Sequence, residues 1–296
     1  MKDLICGDVM FKIFTFKQLS FLAIAICLIM LFSASLNAIS PYAQTFAKNT
    51  SVKVPIIMYH QISQNSALWG DYVIPLKVLE NDFSYFKENG ITPVSFKDLN
   101  NYVKFGKKLP KKCVVITFDD GERTFLTKVL PLMEKYKYPA NVNIVGSLTE
   151  LYTKNGDTND KYAYLNEDDI VILSQNSLVE LGCHSYELHS LTKRKGMGKL
   201  KSETEEQYSD IIWEDISLFQ SQYSRLTGAN CHIMAYPYGI RNEYLSDLLK
   251  NNGFSVTLTC RESVNTLSVG GDLYELGRFN RPYGISTENF FKNIFE

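Results

Sequence analysis

From residue 52 onward the chain alternates short unbroken apolar runs with longer stretches in which apolar residues recur every third or fourth position. Residues 54–60 (Val-Pro-Ile-Ile-Met-Tyr-His) read as a first strand. Leu76, Leu79, Phe83 and Phe86 keep helical spacing, and Gly90 ends that helix. Residues 113–118 read as a second strand, 125–136 as a helix broken by Pro139, and 140–145 as a strand. Asn166 caps a helix carrying Ile170, Ile172 and Leu173. A strand over 178–183 is followed by a long charged helix over 202–226 and a strand over 231–236. A helix over 243–250, stopped by Gly253, leads into strands over 254–259 and 273–279. The run over 113–118 is β-branched or apolar throughout, which is the pattern of a strand covered on both faces. Repeated strand-helix units of this length predict an α/β fold with a parallel sheet or (β/α) barrel. There is no internal repeat, no low-complexity tract and no sign of a second domain.

The chemistry-bearing residues fall where such a barrel would use them. His60, Asp119, Asp120, His184, His189, Tyr238 and Arg278 each follow the C-terminal end of a predicted strand. In the run Val114 to Gly121, β-branched and aromatic residues lead straight into two adjacent carboxylates. Burying both requires a compensating cation, for which a divalent metal is the usual choice. One Asp would then be a ligand and its neighbour a base; the plain alternative is an Asp-Asp-Gly turn. His184 and His189 are five residues apart, too far for one helix face but within reach of a strand end turning into a loop. Two imidazoles and a carboxylate make a three-ligand site for zinc or another first-row ion, with positions left open for water. Two unrelated surface histidines are the alternative.

Arg278 is the favoured partner for Asp119, with Arg281 as competitor, because a strand places Arg278 on the same side as Leu276. His232 precedes the apolar part of its strand and reads as structural. Asp168 and Asp169 open a helix and serve its dipole. Trp69 and Tyr72, in the loop after the first strand, suit either sugar stacking or plain packing.

Composition adds limits. The chain has 296 residues, 45% hydrophobic content and a net charge of −1, so it has no basic footprint for nucleic acid. Lys193, Arg194 and Lys195 read as a solvated loop. Lys12 and Lys17 precede an apolar run over 19–32 and then small residues, the layout of a secretory signal or a short anchor. Residues 1–39 are therefore expected to be a signal peptide or membrane anchor, 40–51 a linker, and 52–296 the folded domain. Cys113, Cys183, Cys231 and Cys260 remain after signal removal and form no CxxC, so a zinc cluster is not expected. Three of them sit at strands as buried thiols, and a disulfide is compatible with export.

The run Thr117 to Gly121 (Thr-Phe-Asp-Asp-Gly), with His184-Ser and His189, resembles the polysaccharide deacetylases, the NodB-like carbohydrate esterases. The resemblance covers residues 52 to 285 and implies a distorted (β/α) barrel of the NodB type. It implies Asp119 as catalytic base and Asp120, His184 and His189 as ligands of a divalent metal, zinc foremost, with cobalt, nickel or iron as alternatives. Residues 235–239 (Ala-Tyr-Pro-Tyr-Gly) resemble the motif in which the N–H of the residue after proline, here Tyr238, helps form an oxyanion hole. Three departures stand out. The histidine step is five rather than four, Ala235 stands where many members have arginine, and no histidine follows His232 to act as acid. All three resemble the branch that deacetylates poly-β-1,6-N-acetylglucosamine, whose acid histidine lies in a Met-Tyr-His-x-Ile context. Met58 to Ile62 matches, which makes His60 the acid. The expectation is a secreted or cell-surface N-deacetylase, monomeric, touching a membrane only through its N-terminal segment. Its implied partner is an N-acetylglucosamine polysaccharide. A peptidoglycan or chitin-oligomer deacetylase, or a silent carbohydrate-binding module, is the alternative.

Overall fold

The computed structural model describes residues 51–295, so the expected signal or anchor segment lies outside the described residues. In chain order the strands are β1 (Ser51–Val54), β2 (Ile56–Tyr59), β3 (Gln61–Ile62), β4 (Val73–Ile74), β5 (Thr92–Pro93), β6 (Cys113–Phe118), β7 (Ala140–Ile144) and β8 (Val179–Cys183). They continue with β9 (Ile233–Ala235), β10 (Val256–Leu258), β11 (Asn265–Ser268), β12 (Leu273–Leu276) and β13 (Phe279–Asn280). The helices are α1 (Leu76–Glu88), α2 (Phe96–Phe105), α3 (Leu130–Tyr136), α4 (Gly146–Asn155), α5 (Glu167–Ser174), α6 (Glu205–Thr227), α7 (Glu243–Asn251) and α8 (Thr287–Phe295).

The main sheet runs β12-β10-β9-β8-β7-β6-β2-β13, with β5 also paired to β6, and every ladder in it is parallel. Its two end strands belong to one segment of chain, separated by Gly277 and Arg278 alone. A single kinked run therefore supplies both edges, and the sheet closes into the distorted (β/α) barrel expected for the NodB type. The sequence predicts one strand over 273–279; the kink divides it in two. Gly277 is required there, because a Cβ would lie 2.1 Å from Ser263 Oγ and 2.6 Å from the Arg261 carbonyl oxygen. The Asn265 amide receives the Gly277 N–H (2.8 Å) and donates to its carbonyl (2.9 Å), standing in for a neighbouring strand.

The pleat sorts side chains into two layers. Ile57, Tyr59, Val114, Ile116, Phe118, Val142 and Ile144 pack outward with Phe83, Phe86, Met133, Ile170, Ile216 and Leu249 of the helices. Val54, Ile56, Cys113, Val115, Ile233, Val256, Leu258 and Leu276 point to the other side, where Phe96, Leu99 and Val103 of α2 join them. Phe83 and Phe86 are fully buried, and each such side chain contributes roughly 2–3 kcal/mol of transfer free energy. Local signals agree with these helices: Ser95 and Asp98 form a capping box for α2, Asn166 and Asp169 one for α5, and Thr204 and Gln207 one for α6.

Asp82 of α1 is fully buried and receives the Arg281 fork, the Tyr59 hydroxyl and the Thr287 hydroxyl. This cluster ties α1, β2 and the entrance of α8 together. No disulfide occurs among the described residues; Cys113, Cys183 and Cys231 are buried free thiols and Cys260 is an exposed one. No helix among the described residues is long and apolar enough to cross a membrane.

Candidate active site and metal centre

Side chains two residues apart on a strand share a face, and this rule builds the site. Cys113, Val115 and Thr117 face the barrel interior, and the next residue in step is Asp119. Ile56 and Met58 lead to His60, Gly182 leads to His184, and Leu276 leads to Arg278. The strand ends therefore deliver an acid, two imidazoles and a guanidinium to one mouth. There Asp119, His60 and His184 border a cavity of about 380 Å³ whose wall also includes Met58, Tyr72, Asp120, His189, Leu191, Tyr238, Cys260 and Asn280, while Arg278 lies buried behind Asp119. A larger hollow of about 560 Å³ at the other end of the barrel holds His232, whose Nδ1–H donates to the Gly253 carbonyl (2.8 Å). His232 is thus structural, as its position before the strand suggests.

Asp119 is buried and doubly held by Arg278, from Nη1 to Oδ1 (2.8 Å) and from Nη2 to Oδ2 (2.7 Å). Asn143 Nδ2 adds a third bond to Oδ1 (2.8 Å). Burial works to raise the Asp119 carboxyl, but the Arg278 charge, with His184 and the Arg278 hydrogen bonds, outweighs it and holds the group well below the usual carboxylate range. Arg281 pairs with Asp82 instead, which settles the competition between the two arginines.

Asp120, His184 and His189 converge, their ligating atoms all within 4.8 Å of one another. Asp120 Oδ1 lies 3.5 Å from His184 Nε2 and 3.2 Å from His189 Nε2. Two donors on a tetrahedral ion with bonds of about 2.1 Å sit about 3.4 Å apart, so the spacing fits a zinc-sized ion. The Ala235 carbonyl, 2.7 Å from His184 Nδ1, can only accept, so Nδ1 carries the proton and Nε2 is the nitrogen available to ligate an ion beside Asp120. His189 stacks on Tyr238 at 4.7 Å, and its Nδ1 lies 3.4 Å from the Tyr238 hydroxyl. Asp120 (φ 71°), Ser185 (φ 72°) and Tyr238 (φ 58°) are three of the five described non-glycine residues with positive φ. Such conformations cost roughly 1–3 kcal/mol each and concentrate where geometry is imposed by function. Tyr238→Phe removes the hydroxyl beside His189 but leaves the backbone; we expect bound-metal affinity to weaken about tenfold while kcat of the metal-loaded protein holds. Competitive metal titration checks this.

His60 follows β2, packs edge-on against Tyr72 at 4.8 Å, and has a buried Nδ1 with no protein partner. The sequence reading has nearby carboxylates favouring its charged form. Burial is the larger effect and lowers its pKa, against the opposing pull of Asp119 and Asp120. Trp69 is packed, donating to the Ser63 carbonyl (2.9 Å) and resting on Tyr283, whereas Tyr72 stands exposed at the cavity rim. Asp169 does more than serve a dipole, since it also pairs with Arg123 (3.0 Å). Lys193 and Lys195 are exposed, but Arg194 is engaged by Glu203 and the Gly198 carbonyl. Two residues escaped the sequence reading. Asn143 is one. Glu122 is the other: burial and then Asp120 push its carboxyl up to about 7, and it accepts a bond from Gln61 (2.9 Å).

The sequence profile described as polysaccharide deacetylase matches residues 106–257, just over half of the 296-residue chain. The chain belongs to the polysaccharide deacetylase family. The poly-beta-1,6-N-acetyl-D-glucosamine N-deacetylase of Escherichia coli (strain K12) is 26% identical over 231 residues, covering 72% of this chain and 34% of that protein. The chain thus spans about a third of that relative's length. Among solved structures, IcaB from Ammonifex degensii superposes with a TM-score of 0.66 at 22% identity, over 78% of this chain and 93% of that one. A de-N-acetylase from Aggregatibacter actinomycetemcomitans gives 0.67 at 23%, over 82% and 98%. These two likenesses show the shared barrel. In this member of the family Ala235 contributes its backbone rather than a side chain, as the acceptor that orients His184.

Proposed function

We propose that the protein is a metal-dependent N-deacetylase that removes acetyl groups from an N-acetylglucosamine polymer, poly-β-1,6-N-acetylglucosamine, and releases acetate. The observation that carries this reading is a buried acid, Asp119, gripped at both oxygens by Arg278 and kept separate from the Asp120–His184–His189 cluster in one cavity. A pure binding module has no need of that second acid. The naming of the Escherichia coli relative supports the substrate. Residues 52–296 would form the catalytic domain, exported to the cell surface by residues 1–39 and working as a monomer.

A divalent ion held by Asp120, His184 and His189, zinc foremost, would supply Lewis-acid polarisation of the acetyl carbonyl and a more acidic water. Asp119 accepts the proton of the attacking water. The Tyr238 N–H donates to the oxygen that gains charge as the carbonyl carbon becomes tetrahedral. His60 protonates the nitrogen as the carbon–nitrogen bond breaks, so an amine leaves rather than an amide anion. Growing negative charge on the oxyanion favours the protonated form of His60, offsetting the effect of burial.

The test is metal analysis of the purified protein together with acetate release from β-1,6 and β-1,4 N-acetylglucosamine oligomers. We expect close to one divalent ion per chain and release from the β-1,6 series. Release from β-1,4 oligomers alone would redirect the substrate to chitin-like or peptidoglycan chains. Metal without release from any acetylated sugar would favour a silent binding module.

A further inference from the structure

Asn143 lies on β7, fully buried and on the interior side of the barrel, where a polar amide finds few partners. Its Nδ2 donates to Asp119 Oδ1 at 2.8 Å. The amide orientation is fixed by chemistry, because an ionised carboxylate can only accept. The residue facing Asn143 across the β7–β8 ladder is Gly182. A Cβ at 182 would lie 2.1 Å from Asn143 Oδ1 and 3.0 Å from Asn141 Nδ2. The amide therefore occupies the volume that any other residue at 182 would fill.

The lone pairs of Asp119 can be counted. A carboxylate offers about four acceptor positions, two on each oxygen. Oδ1 receives Arg278 Nη1 and Asn143 Nδ2 and is filled, whereas among these bonds Oδ2 receives only Arg278 Nη2. The arginine fork alone would leave one acceptor position on each oxygen and allow the carboxylate to rock about the fork axis. We propose that Asn143, seated by Gly182, is a positioning residue that makes Oδ2 the proton-accepting oxygen of Asp119 and fixes the carboxylate plane against the cavity. The proposal rests on Asp119 being the base.

The test is a double-mutant cycle on the full metal-loaded chain. Asn143→Ala should lower kcat roughly 10- to 100-fold while KM and bound metal stay within about twofold. Gly182→Ala should produce a similar fall, because its methyl evicts the amide. The double variant should be no slower than Asn143→Ala alone, since the space left by the amide receives the methyl. That space also lets the double variant fold if Gly182→Ala by itself does not. The proposal is overturned if Asn143→Ala keeps wild-type kcat. It is equally overturned if Gly182→Ala is as damaging in the Asn143→Ala background as in the wild type. Asp119→Asn separates the two levels: if it retains turnover, the base assignment falls, whereas an inactive Asp119→Asn beside an active Asn143→Ala removes only the positioning role.

Discussion

Asp119→Asn is expected to retain bound metal and to lose roughly 10³-fold or more in kcat, whereas Asp120→Ala loses metal and turnover together. The two carboxylates are adjacent in sequence but occupy different worlds. Asp119 points into the barrel and is held by Arg278 and Asn143; Asp120, in a left-handed backbone conformation, points to the two imidazoles. An amide at 119 keeps the shape but cannot accept the proton of the attacking water. A thousandfold loss corresponds to about 4 kcal/mol of transition-state stabilisation. Metal content by mass spectrometry and acetate release, both measured well below the melting temperature of each variant, separate the roles. Near-normal turnover in Asp119→Asn would remove the base. Full metal occupancy in Asp120→Ala would remove the ligand.

Arg278→Leu is expected to be the most destabilising single change around the site. The guanidinium is completely buried and each of its three nitrogens is engaged: Nε with the Thr259 carbonyl (3.0 Å), Nη1 with Thr117 and Asp119, and Nη2 with Asp119. Removing it leaves a carboxylate in the barrel interior without its cation, a change that costs about 3–5 kcal/mol. For a domain of this size that lowers Tm by roughly 10 °C. Arg278→Lys should fall between the two, because an ammonium cannot reproduce the fork. The double change Asp119→Leu with Arg278→Leu should recover much of the lost stability while remaining inactive, since an apolar pair of similar volume removes both charges. Thermal unfolding of the four proteins decides the matter. A Tm for Arg278→Leu within about 2 °C of wild type, where each kcal/mol is worth roughly that much, would show that Arg278 does not hold Asp119.

The parts legible in the sequence are those governed by local pattern. Continuous apolar runs are strands buried on both faces, so their ends could be read, and with them His60, Asp119 and His184 at the barrel mouth. Capping at Asn166 was equally visible. Three features were hidden for physical reasons. In Ala140–Ile144, polar and apolar residues alternate (Ala-Asn-Val-Asn-Ile), as on a strand with one wet face, yet Asn141 and Asn143 point into the interior. The pair Asp82–Arg281 spans 199 residues, and no local signal marks such a partner. Helix α4 opens on Gly146 without a side-chain cap and buries only Gly146 and Thr149, so it has almost no apolar stripe to detect. For His60, the carboxylates were visible as neighbours, but the depth that opposes them was not.

The seam at Gly277 and Arg278 carries a kinetic consequence. Arg278 and Asp119 are 159 residues apart, and the Asn265 amide that braces the seam reaches back 211 residues to Val54. Contacts of such high sequence separation pay their loop-closure entropy before they return any stability, which places them late in folding. Until that final strand docks, the acid at 119 has no counter-ion and the two edges of the sheet stay apart. Maturation of hydrolytic competence should therefore trail the bulk of secondary-structure formation, and a refolding chain should look nearly native by circular dichroism before it can turn over its first acetyl group.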